Sequence, residues 1–184
     1  MRISWRSRKH CCRYEKAKEQ FKEETKTLQE IFDYTKECLM SLGLDTTKMK
    51  TINDIKMIPP YDKKFYEKIK EDFSLDDERD IVWMKFTKKK GHIGVVATSN
   101  DINFDMPQNL CDYDKKKDNG KWLYSFSGVL IKYLEEEWNE EYVFVFPLVK
   151  LANHPYTRHK VEKEIGNYLI DKGVPILDYY SHRI

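Results

Sequence analysis

Ile81-Val82-Trp83-Met84-Lys85-Phe86 and Ile93-Gly94-Val95-Val96-Ala97, on either side of Lys88-Lys89-Lys90-Gly91, are the stretch from which the fold is read. Two short apolar runs rich in β-branched and aromatic residues, joined by a polar segment with a glycine, describe an antiparallel hairpin with a basic tip. A hairpin needs a sheet to lie in, because two strands alone are marginal in water. The rest of the chain must supply that sheet and its cover.

Towards the C-terminus, residues 101–119 are polar and irregular, and Asp118-Asn119-Gly120 signals a turn. Trp122 to Phe126 reads as a strand. Gly128 to Trp138 reads as a helix bearing Leu130, Tyr133, Leu134 and Trp138, with Ser127 as its N-cap. Tyr142 to Val149 is almost uniformly apolar, as a strand buried on both faces is. A helix opening at Pro155 or Tyr156 carries Val161, Ile165, Tyr168 and Leu169 and ends at Gly173, after which Val174-Pro175-Ile176-Leu177 resumes strand character. The order is hairpin, then β-α-β-α-β. It predicts an α+β or mixed α/β fold with about five strands in one sheet.

Towards the N-terminus, Pro59-Pro60 breaks the chain, and a short helix follows it with Phe65, Tyr66, Ile69 and Phe73 on one face. Ahead of these, Tyr14, Ala17, Phe21, Leu28, Ile31, Cys38 and Leu42 recur at steps of three and four, skipping Glu24 and Thr35. That stripe predicts one long amphipathic helix ending at Gly43. The division is residues 1–43 as the long helix and 44–184 as the α+β body, together one domain. The stripe packs on that body or on a second copy, so a homodimer through this helix is an open alternative.

Composition bounds the function. The chain has 184 residues, 40% hydrophobic and 14% aromatic, enough to fill a core despite 35% charged residues. No apolar run approaches the 18 residues of a membrane span, and no signal-like stretch follows the basic start. Cys11, Cys12, Cys38 and Cys111 include no Cys-x-x-Cys pair, so reduced thiols in a cytoplasm are the expectation. Neither a metal nor a cofactor is expected. His10-Cys11-Cys12 has no partner motif, and His154 and His159 are five apart across Pro155. The glycines form no phosphate loop, and Ser127 lacks the leading glycine of a nucleophile elbow.

Charge is distributed unevenly. Thirty-three Lys and Arg against 31 Asp and Glu leave a net charge of +2. Yet Arg2, Arg6, Arg8, Lys9, Arg13 and Lys16 crowd the start, and Lys88, Lys89, Lys90 and Lys115, Lys116, Lys117 form two further basic clusters. Glu135, Glu136, Glu137, Glu140 and Glu141 form an acidic patch. Such poles, with many Tyr and Trp for anchoring, suit a non-catalytic binding protein, an inhibitor or adaptor of a protein or protein–nucleic acid complex. One version is a nuclease inhibitor of the anti-CRISPR kind, although no residue identifies that class. A direct nucleic-acid binder using the basic N-terminal arm is the first alternative. The second is an enzyme whose site draws on His154, Arg158, His159, Asp178 and His182. Membrane partners are not expected.

Overall fold

In the computed structural model, which describes residues 26–52, 71–72, 74, 80–88, 93–99, 114–116, 122–124, 139 and 143–176, two helices lie on an antiparallel sheet in an α+β arrangement. The first helix, α1 (Leu28–Ser41), starts where Thr27 takes an extended backbone at φ −67°, ψ 156°. The Thr27 hydroxyl oxygen accepts the Glu30 N–H at 3.2 Å, and the Glu30 carboxylate accepts the Thr27 N–H at 2.8 Å. This reciprocal cap satisfies two N–H groups that a helix start leaves open. It corrects the expectation of one helix running unbroken from Tyr14 to Leu42, since an extended residue at 27 cannot continue a helix. The part of the stripe before residue 26 lies outside the described residues.

The rest of the stripe packs as its spacing implies. Ile31, Cys38 and Leu39 are buried, and Leu28, Phe32 and Leu42 lie half-buried against the same core. Thr35, the skipped slot, is buried too, and its hydroxyl donates to the Ile31 carbonyl at 2.8 Å, so no polar atom is stranded there. Gly43 ends the helix at φ +77°, with Gly43 N–H donating to Met40 O and Leu44 N–H to Leu39 O. These two bonds make a Schellman cap.

The main sheet has the order β1 (Lys50–Ile52), β6 (Val143–Pro147), β2 (Ile81–Phe86), β3 (Ile93–Ser99), with every neighbouring pair antiparallel. The β2–β3 hairpin is the one read from the sequence, with an irregularity in its register between Lys85 and Phe86. The second ribbon pairs β4 (Asp114–Lys116) with β5 (Trp122–Tyr124). The expected strand at Trp122 therefore pairs locally, with a segment that the sequence reading left irregular. The Asp118-Asn119-Gly120 turn signal lies between the two. Among the described residues four strands share the main sheet, against the five expected, and residue 176 makes only a single bridge.

Alternation on β2 separates two faces. Val82, Met84 and Phe86 join Phe144 and Phe146 of β6 in the core beneath α1 and the second helix, α2 (Arg158–Asp171), which contributes Val161, Ile165 and Leu169. Phe32 closes this core edge-on to Phe144 at 5.9 Å. Ile81, Trp83 and Lys85, with Val145, occupy the opposite face and are also buried. Lys85 is 0% exposed, with its ammonium 5.0 Å from the centre of the Trp83 ring. The two central strands, β2 and β6, are thus buried on both faces while pairing antiparallel with their neighbours.

Candidate functional site

The chemistry-bearing side chains of the described residues meet where β2 begins and α2 begins. Pro147 pairs with Ile81, and the Asp80 carbonyl accepts the Leu148 N–H at 2.8 Å, so the entry to β2 is tied to the exit of β6. The chain then reverses through Lys150, a non-glycine residue at φ +55°, and a 3-10 turn over Leu151–Asn153. His154-Pro155-Tyr156 follows. Thr157 caps α2 by accepting the Lys160 N–H at 3.3 Å, so the helix opens at Arg158, two to three residues later than the sequence suggested.

These segments line a cleft of about 360 Å³ formed by Asp80, Leu151, Ala152, His154, Tyr156, Thr157, Arg158 and His159. Arg158 Nη1 donates to Asp80 Oδ1 at 3.2 Å, across 78 residues of sequence. The Arg158 side chain is 16% exposed, and its Nε–H is buried without an acceptor. The pairing is single rather than forked, so the guanidinium is held from one side only.

The two histidines are set differently. His154 stacks on Tyr156, with ring centres 5.1 Å apart and planes 27° from parallel. Its Nδ1 accepts the Tyr156 N–H at 3.3 Å, which places the proton of the neutral ring on Nε2. His159 is 48% exposed, with Nδ1 3.8 Å from the carboxylate of Glu162, itself 2% exposed. The first turn of α2 carries no acidic residue to offset the positive end of the helix.

Of the sequence-predicted site residues, Lys88 is exposed just after β2, and Lys115 and Lys116 stand on β4, opposite Leu123 and Trp122. Arg2, Arg6, Arg8, Lys9, Arg13, Lys16, Lys89, Lys90, Lys117 and the patch Glu135, Glu136, Glu137, Glu140 and Glu141 lie outside the described residues. His154, Arg158 and His159, named for the enzyme alternative, come together in the cleft, whereas Asp178 and His182 lie outside the described residues. Asp80, Tyr156 and Thr157 were not foreseen. Thr157 followed by a helical run is a cap signal, but nothing local marks Asp80.

Among the described residues no three His, Cys, Asp or Glu side chains are grouped to hold a metal ion, and no helix is long and apolar enough to cross a membrane. Comparison with protein-family models, curated proteins and solved structures gives no match.

Proposed function

We propose that the protein acts by binding, as an inhibitor or adaptor of a protein or protein–nucleic acid complex, and that the α2 cleft grips an anionic group of that partner. The observation that carries this reading is Arg158: a guanidinium on a cleft wall, anchored at one nitrogen by Asp80, with an N–H lacking an acceptor. Arginine so placed is suited to forked recognition of an oxyanion. The Thr157 hydroxyl accepts the Lys160 N–H, so it serves as the helix cap. The basic arm and the acidic patch of the sequence would extend the contact beyond the cleft.

Copurification from the native host, with and without nuclease, tests the reading. The wild-type chain should retain a partner that an Arg158→Gln, His159→Gln double variant of equal thermal stability loses. Identical copurifying sets for the two proteins would remove the cleft from the function. Loss of the partner on nuclease treatment alone would favour direct nucleic-acid binding.

A second reading, an enzyme, is favoured by one observation: His154, Arg158 and His159 share a cleft with Asp80. Turnover of a bound partner that disappears in His154→Gln or His159→Gln, with binding retained, would establish it.

A further inference from the structure

We infer that the α2 cleft is a phosphate-binding site and that the Arg158–Asp80 pair is the latch the phosphate opens. This rests on the reading of the cleft as an anion grip and narrows it to one ligand class. In the free protein Asp80 holds one guanidinium nitrogen at 3.2 Å, while the buried Nε–H has no acceptor. A buried donor left unsatisfied is unfavourable, so swinging the Arg158 side chain off Asp80 and into the cleft, where its fork meets a better acceptor, relieves that cost.

The better acceptor must exceed Asp80 in kind. A second carboxylate would only repeat the charge and the two oxygens that Asp80 already offers. A phosphate presents more oxygens and up to two charges, so it can engage the Arg158 fork and reach the half-exposed His159 imidazole together. The cleft volume of about 360 Å³ lies at the small end of ligand pockets, ample for a phosphate with an attached sugar. The stacked His154–Tyr156 pair on the same wall adds a planar surface beside that position.

The full-length protein, with side-chain-labelled histidines, is titrated by NMR with inorganic phosphate, acetate, and a single-stranded trinucleotide with or without a 5′-phosphate. Phosphate should shift the His159 resonances saturably, and acetate should not compete at equal concentration. Equal binding of the two trinucleotides would identify the source as a phosphodiester strand; preference for the phosphorylated one would identify a terminal phosphate. Arg158→Gln should weaken phosphate binding at least tenfold. Asp80→Asn should leave it unchanged or tighten it, because the competing carboxylate charge is gone. Where Arg158→Gln fails to fold, His159→Gln at its exposed position should weaken binding at least threefold. Acetate binding as well as phosphate, or unchanged affinity in folded Arg158→Gln or His159→Gln, overturns the assignment. Absent phosphate binding with partner capture still dependent on Arg158 would sink the phosphate class alone. Phosphate binding with capture independent of Arg158 would sink the adaptor reading alone.

Discussion

Cys38 sits on the buried face of α1, 2% exposed, and burial, reinforced by the nearby Glu164 carboxylate, pushes its thiol up to about 12. The thiolate is the reactive form, so at pH 8 this sulfur should resist alkylation in the native protein. Mass spectrometry after brief iodoacetamide treatment should find Cys38 unmodified without denaturant and fully modified with it; prompt native labelling would contradict its burial. Gly173 offers a cleaner test of a single residue. Its φ of +76° is left-handed, and an added Cβ would meet nothing within 4 Å, so conformation alone sets the penalty. Gly173→Ala should therefore destabilise by about 1–2 kcal/mol, the penalty of αL for a residue with a Cβ. A denaturation midpoint equal to wild type would show that the turn relaxes. Both terminal glycines were legible in the sequence, because a glycine after the last apolar position of a helical stripe has one common use.

At the scale of the element, α1 turns on four residues, Thr27-Leu28-Gln29-Glu30, whose Thr-x-x-Glu pattern the longer stripe obscured. Periodicity reports which face is apolar, not whether the helix is continuous, so a cap inside a stripe is easily read through. Thr27→Ala should destabilise by about 1 kcal/mol. Glu30 is held below its usual carboxylate range, first by the Thr27 N–H and hydroxyl, then by Lys26. A lowered folded-state value means that its contribution is present above the unfolded carboxylate value, near 4.5, and fades as pH falls through the lower folded one. The Thr27→Ala effect should thus shrink in acid, and a stability difference constant from pH 7 to pH 2 would count against the reciprocal cap. At the other end of α1, Lys172 from the end of α2 lies 3.4 Å from Glu37 and over the rings of Tyr34 and Tyr168. That tie between the helices joins residues far apart in sequence, and periodicity carries no trace of it.

Across the whole molecule, the sequence reveals what is local and periodic: the β2–β3 hairpin, the α1 stripe from Leu28 onward, α2 and the apolar run of β6. Strand order was not legible. An apolar run buried on both faces does not say which strands flank it or in which direction they run, and β6 lies antiparallel between β1 and β2. The candidate site was half legible for the same reason. His154, Arg158 and His159 fall within six residues, but their partner Asp80 is brought in by the pairing of β2 with β6.

That pairing makes the Asp80–Arg158 contact a test of tertiary assembly. Both side chains are less than one-third exposed, so the pair is better shielded than a surface ion pair. A double-mutant cycle with Asp80→Ala and Arg158→Met should give a coupling energy of about 0.5–3 kcal/mol, the range for residues in direct contact. Asp80→Asn should be milder than Asp80→Ala, since its amide oxygen still accepts from Nη1. Arg158→Met removes the orphaned Nε–H together with the charge, which offsets part of its loss. A coupling indistinguishable from zero would mean that β2 and α2 are aligned by their apolar faces alone, with the ion pair following the fold rather than fixing it. A measurable coupling would instead make the cleft wall one mechanical unit, in which displacing Asp80 from Arg158 is felt by the ends of both β2 and α2.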